Sequence, residues 1–181
     1  MHGTEAPSPW VCRWTPLIRP AGQVLDLACG GGRHMQWLAS KGHPVLGVDR
    51  SHEALALASA FGTTLQADIE DSAWPLQGHS FDAVVVTNYL WRPLWPQILA
   101  SVAPGGVLIY ETFAQGHETV GRPSRPDFLL APGELLQVAA QGGLRLVAYE
   151  DGFLPDPDRF VQRLAAVRPT MAEPPARWSL A

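Results

Sequence analysis

The chain has 181 residues, 46% of them hydrophobic and 17% charged, with 7 Trp, 17 Gly and 17 Pro. At about 150 residues per domain this is one domain, long enough to bury a core without disulfides or a structural metal. A net charge of −4 argues against a broad nucleic-acid-binding face, which needs clustered Lys and Arg.

Ser8-Pro9 reads as a helix start, and Trp10, Val11, Trp14, Leu17 and Ile18 recur at helical spacing until Pro16 stops or kinks the helix near Thr15. Gln23 to Ala28 reads as a buried strand running straight into Gly30-Gly31-Gly32. Arg33 to Lys41 is helical, with Gly42 as its stop. Pro44 to Val48 is a second strand ending at Asp49, and Ser51 caps a helix through Ala60. Thr63 to Ala67 makes a third strand, followed by Asp68; residues 70–80 show no helix. Phe81 to Thr87 is a strongly apolar fourth strand, and Pro93 and Pro96 open a helix toward Val102. Pro104-Gly105-Gly106 turns sharply into a fifth strand, Val107 to Thr112. Residues 113–131 have no regular period, and so long an irregular stretch in a compact domain points to function. Pro132 and Glu134 start a helix ending at Gly142-Gly143; Leu144 to Glu150 and Arg159 to Val167 are the last strands.

Strand–helix alternation predicts an α/β fold, a Rossmann-like doubly wound sheet of seven strands with right-handed crossovers. The last two strands have no helix between them, so they form a hairpin and one strand is antiparallel. Residues 1–168 are read as a single domain with 1–22 as an N-terminal cap segment and a frayed start at 1–7. Residues 169–181 are read as a loose Pro-rich tail. Cys12 and Cys29 lack metal-ligand and redox spacing, as expected of reduced thiols. Without a signal-peptide pattern or an apolar run of membrane-spanning length, the expected location is the cytoplasm.

The chemistry concentrates in Val24-Leu25-Asp26-Leu27-Ala28-Cys29-Gly30-Gly31-Gly32-Arg33-His34. A glycine turn between strand and helix lets backbone approach a ligand that a Cβ would exclude. The dinucleotide fingerprint Gly-x-Gly-x-x-Gly fails at its last position, where Met35 stands. The carboxylate of Asp26 also suits a cationic ligand better than a pyrophosphate. Asp49, at the end of the second strand, can accept from both hydroxyls of a ribose and fits either ligand. Asp68, at the end of the third, can accept from an adenine amine.

Residues 23–112 resemble the class I S-adenosylmethionine-dependent methyltransferases through this glycine motif and Val48-Asp49, Ala67-Asp68-Ile69, Phe81-Asp82-Ala83-Val84-Val85 and Pro104-Gly105-Gly106-Val107-Leu108. The N-terminal helix and Tyr110-Glu111-Thr112-Phe113 resemble small bacterial methyltransferases of the tellurite-resistance type. The resemblance implies S-adenosyl-L-methionine as cofactor and no metal. Asp26 and the loop of Ala28, Cys29, Gly30 and Gly32 would hold its methionyl end. Asp49 and Arg50 would hold the ribose, Asp68 and Ile69 the adenine, and Asn88 would stand beside the donor. The Asn-Pro-Pro-Tyr of enzymes that methylate planar amines is absent, since the chain has Asn88-Tyr89-Leu90-Trp91.

An acceptor pocket is expected from Trp10, Arg13, Asn88, Tyr89, Phe113, His117 and Arg122, with Tyr89 and His117 as the candidate catalytic residues. His117 and Glu118 could form a base and its orienter, and Arg122 and Arg125 an anion clamp. His34 opens the helix beside the glycine loop. The favoured reaction is in-line methyl transfer to a small molecule, since nothing in the chain reads as a macromolecule-binding extension. The alternatives are an RNA or protein acceptor, needing Arg13, Arg19, Arg33, Arg92, Arg122 and Arg125 on one face, or a non-catalytic cofactor-binding module. A nicotinamide oxidoreductase is disfavoured by Met35 and Asp68.

Overall fold

The strand Phe81–Thr87 carries Val84, Val85 and Val86 in a row, and all three are fully buried. A strand apolar on both faces must be covered on both. The computed structural model describes residues 6–171 and 177–180, so the first five residues of the expected lead-in at 1–7 lie outside the described residues. Its strands are β1 (Val24–Leu27), β2 (Val45–Asp49), β3 (Thr63–Gln66), β4 (Phe81–Thr87), β5 (Val102–Phe113), β6 (Arg145–Leu154) and β7 (Arg159–Val167). They form one sheet in the order β3-β2-β1-β4-β5-β7-β6. The β1–β2, β1–β4, β2–β3 and β4–β5 pairs are parallel, while β7 runs antiparallel between β5 and β6. This is the expected doubly wound sheet.

The helices are α1 (Pro9–Trp14), α2 (Arg33–Ser40), α3 (His52–Ala58), α4 (Trp95–Ala100) and α5 (Glu134–Gln141). Period two along the strands divides the core. Val84 and Val86 pack with Leu25, Leu108 and Leu135 on one face; Val85 packs with Met35, Ile109, Trp10 and Trp14 on the other. Ser8 caps α1, accepting from Trp10 N at 3.1 Å. The helix tightens into a 3-10 turn at Thr15–Leu17, where Pro16 forbids continuation.

Three boundaries differ by more than a residue from the sequence reading. β5 starts at Val102, which pairs with Phe81 before the ladder jumps to Ala83 and Val107. The Pro104-Gly105-Gly106 turn is thus a bulge inside one strand, and a Cβ at Gly106 would meet Phe81 O at 2.9 Å. β6 runs to Leu154, past Glu150 and Asp151, because an edge ladder needs backbone partners on β7 rather than apolar side chains. α3 ends at Ala58. Of the tail, Trp178 is not loose; it packs against the core and under the Arg145 guanidinium, 4.8 Å from its carbon.

The misfit Met35 is accommodated from the strand side. A Cβ at Gly47 of β2 would collide with the Met35 sulfur and meet Cys29 Sγ at 2.8 Å. The glycine that lets α2 settle on the sheet has moved from helix to strand. Gly47→Ala is expected to lower stability by about 1–3 kcal/mol through overpacking, read as a shift in the urea midpoint. An unshifted midpoint would show that the Met35 side chain simply moves aside.

Candidate active site

In an open α/β sheet a crevice forms outside the carboxyl ends of the strands where strand order reverses, here between β1 and β4. Two left-handed backbones flank it: Ala28 after β1 at φ 55° and Asn88 after β4 at φ 53°. Such conformations are costly outside glycine and gather at functional sites. Gly30 follows at φ 53°, and a Cβ built on it would meet nothing within 4 Å. The Gly32 N–H closes the turn on Cys29 O at 3.0 Å.

Asp49 ties the loop down. Its Oδ2 accepts from Gly30 N at 2.8 Å and its Oδ1 from Ser51 N at 2.9 Å. With Arg50, Asp68, Ile69 and Tyr89 it borders a cavity of about 150 Å³. Asp68 Oδ1 accepts from Glu70 N at 3.0 Å, which fixes the turn leaving β3. A second recess of about 190 Å³ lies over the loop, between Ala28, Cys29 and Gly30 on one side and Thr87 and Asn88 on the other. Asp26 borders neither cavity. It lies within β1 at 1% exposure, with Oδ2 lacking any partner. Burial pushes its carboxyl up to about 7, with Arg33 opposing the rise and Asp49 adding to it.

His34 also borders the recess. It accepts from Ser8 N through Nε2 at 3.1 Å, so its proton is on Nδ1, 3.4 Å from Thr87 Oγ1. Burial, helped by Arg33, pulls its pKa down to about 3, so the ring is neutral. Ser8 Oγ donates to Glu111 Oε1 at 2.9 Å, and Glu111 pairs with Arg163 at 3.2 Å. The start of α1 is thereby bolted to the ends of β5 and α2.

Beyond Asn88 opens a larger cavity of about 660 Å³, bordered by Pro9, Arg33, Phe113, His117, Arg122 and Arg159. A side chamber of about 270 Å³ is walled by Tyr89, Thr112 and Phe128. Phe113 and His117 stack with centroids 4.3 Å apart, and His117 Nε2 donates to Arg122 O at 3.0 Å.

Three expectations about this side are corrected. Trp10 and Arg13 border none of these cavities. Trp10 is core, donating to Leu164 O at 3.0 Å, and Arg13 lies over Trp14 beside Glu150. The cap contributes residues 6–9 instead. Glu118 does not orient His117; it accepts from Gly116 N at 2.8 Å, and the Arg122 carbonyl takes that role. Arg125 pairs with Asp127 at 2.8 Å and borders none of these cavities, whereas Arg159 borders the large one together with Arg122.

The sequence reading missed Thr87, Ser8, Arg159 and the turn at 156–158. The signal for the last two was the final hairpin. Insertion of β7 antiparallel to β5 sets Val161 against Phe113, which brings Arg159 to the carboxyl end of the sheet. Among the described residues no cluster of three or more His, Cys, Asp or Glu could hold a metal ion. No helix there is long and apolar enough to cross a membrane.

The glycine loop, the carboxylates of Asp26, Asp49 and Asp68 and the inserted antiparallel strand define a class. Residues 24–106 match the family described as a methyltransferase domain, and this part of the chain has the fold and motifs of the class I S-adenosylmethionine-dependent methyltransferases. The chain is 31% identical over 140 residues to a trans-aconitate 2-methyltransferase of Delftia acidovorans, covering 69% of this chain and 52% of that one. It is 29% identical over 150 residues to a ubiquinone biosynthesis O-methyltransferase of Coxiella burnetii, covering 68% and 64%. In fold it is similar to TehB from Haemophilus influenzae, with a TM-score of 0.74 at 21% identity over 93% of this chain and 64% of that one. The chain thus spans about half to two thirds of the length of the curated relatives it matches.

Proposed function

We propose that the chain transfers a methyl group from S-adenosylmethionine to a small-molecule acceptor in the cytoplasm. One observation carries the reading. Arg33 and Asn88 border both the recess over the glycine loop and the 660 Å³ cavity, so donor and acceptor spaces meet at those residues.

The residues fit the donor. Open space over Gly30 is a cradle that any Cβ would fill, and the partnerless Asp26 Oδ2 suits an ammonium group. Asp49 and Arg50 suit the ribose, Asp68 and Ile69 the adenine, and Ala28, Cys29 and Asn88 complete the cradle, while Gly32, expected there too, borders neither space and packs against Ala58 instead. When bound, the donor supplies a methyl group on a cationic sulfur whose departing thioether is neutral. The protein therefore need supply no acid. Its residues align the acceptor and keep water out, and alignment alone is worth up to about 7–11 kcal/mol.

Of the two candidate catalytic residues, Tyr89 is the poorer base. Burial first, then Glu70, pushes its hydroxyl well above the ordinary tyrosine value, so it keeps its proton. His117 is better suited. With the Nε2 proton given to a carbonyl, its Nδ1 holds a lone pair and has no partner. It is the group available to take a proton from a hydroxyl acceptor. The small-molecule reading is supported by the names of the relatives. It is also supported against an RNA acceptor by the pairing of three of the six arginines that reading needs, Arg19 with Asp82, Arg92 with Glu134 and Arg125 with Asp127.

Calorimetric titration is expected to show S-adenosylhomocysteine binding and no comparable binding of NAD. Tight NAD binding, or no heat with S-adenosylhomocysteine, would sink the reading.

A further inference from the structure

We propose that the acceptor is a small organic acid, its carboxylate gripped by Arg122 and Arg159 at the mouth of the 660 Å³ cavity. This deepens the methyltransferase reading and rests on it. The first observation is a contrast among arginines. Arg13, Arg19, Arg92, Arg125 and Arg163 each pair with a carboxylate, and Arg168 caps the carbonyls of Leu99, Val102 and Gly142. Arg122 and Arg159, which both border the cavity, have no such partner among the described residues. The nearby acids Asp156 and Asp158 border the same cavity yet form no ion pair with either.

The second observation is burial. Arg159 Nε is shielded from solvent and has no hydrogen-bond partner. A charged donor withdrawn from water without an acceptor is costly, and an anion would supply the acceptor. His117, 4% exposed, likewise has a partnerless Nδ1 beside the same space.

The third is rigidity. The loop bearing Arg122 and the hairpin bearing Arg159 hold each other in place. Ala114 N donates to Phe160 O at 2.9 Å, and Gly116, at φ 103°, lies so close that a Cβ would meet the Phe160 ring at 3.0 Å. Gly121 packs as tightly on the His117 ring, 3.3 Å from a Cβ position, and His117 fixes the Arg122 carbonyl at 3.0 Å. Both guanidinium stems thus spring from pinned backbone. A planar fork on a fixed stem matches a carboxylate in a way that a mobile lysine does not. Asn88, which the cavity shares with the donor recess, borders the same space as the two arginines.

The test uses the full chain, with and without S-adenosylhomocysteine. Citrate, trans-aconitate, succinate and benzoate, each beside its neutral amide, are titrated calorimetrically into wild type, Arg122→Gln, Arg159→Gln and Arg125→Gln. At least one acid is expected to bind while its amide does not. Its affinity should fall at least tenfold in each of the first two variants and stay unchanged in Arg125→Gln, with S-adenosylhomocysteine affinity retained throughout. Failure of every acid to bind overturns the proposal, as does binding indifferent to Arg122 and Arg159. Transfer of methyl to a neutral acceptor at full rate in both variants overturns it too. Loss of S-adenosylhomocysteine binding in wild type would instead strike the methyltransferase reading, so the two failures are distinguishable. Circular dichroism of each variant separates lost contacts from lost folding.

Discussion

Asp49→Ala is expected to weaken S-adenosylhomocysteine binding by about 2–4 kcal/mol, or roughly 30- to 1,000-fold, in a protein that still folds. Two effects act in the same direction. The carboxylate offers a ribose two charge-assisted bonds, and it also holds Gly30 N at 2.8 Å and Ser51 N at 2.9 Å. Removing it lets the glycine loop wander from the shape the ligand needs. Asp49→Asn separates the effects, because one amide oxygen can still hold one backbone N–H while charge is lost. Calorimetry of both variants, with urea melts as the folding control, reads the result. Unchanged affinity in folded Asp49→Ala would show that the ribose lies elsewhere.

Asp26→Asn is expected to do two opposite things, stabilising the ligand-free protein above neutral pH and weakening ligand binding. The Asp26 carboxyl lies near 7 in the fold against an ordinary 3.8, chiefly because it is buried, with Arg33 opposing and Asp49 assisting. A native value above the unfolded one means that the folded chain binds the proton more tightly. Its contribution is therefore fully present below about pH 4 and is lost as pH rises to about 7, a change on the order of 4 kcal/mol. His34 works the other way. Burial holds its value near 3 against an ordinary 6.5, so its contribution is present above 6.5 and is lost as pH falls toward 3. The wild-type curve mixes the two, and the difference between wild type and Asp26→Asn isolates the carboxyl. That difference should swing toward the variant between about pH 4 and pH 7 in urea denaturation and level off above. A pH-independent difference would mean that Asp26 is solvated or already paired. An ammonium group on Asp26 should also expel a proton near pH 7, visible as a buffer-dependent binding enthalpy.

Much of this protein is legible along the chain. Val84-Val85-Val86, the Gly30-Gly31-Gly32 turn and the carboxylates at Asp26, Asp49 and Asp68 are local patterns, and their meaning follows from strand period, glycine geometry and charge. The alternation of elements, the right-handed crossover rule and the terminal hairpin then suffice for a mostly parallel sheet covered on both faces with one antiparallel strand, though not for the order of its strands. The acceptor side depends on contacts between residues far apart in sequence. No local pattern indicates that Ser8 meets His34 and Glu111, that Trp10 turns inward to Leu164, or that Gly47 makes room for Met35. Nor does spacing reveal that Glu118 turns to Gly116 while the Arg122 carbonyl holds His117. Arg159 shares a cavity with Arg122 only because β7 enters the sheet between β5 and β6 and so brings its hairpin to the crevice. Backbone periodicity is a property of neighbours and is written in the sequence. Which side chains share a cavity depends on how the strands are ordered and how the loops lock together, and the folded chain alone decided that.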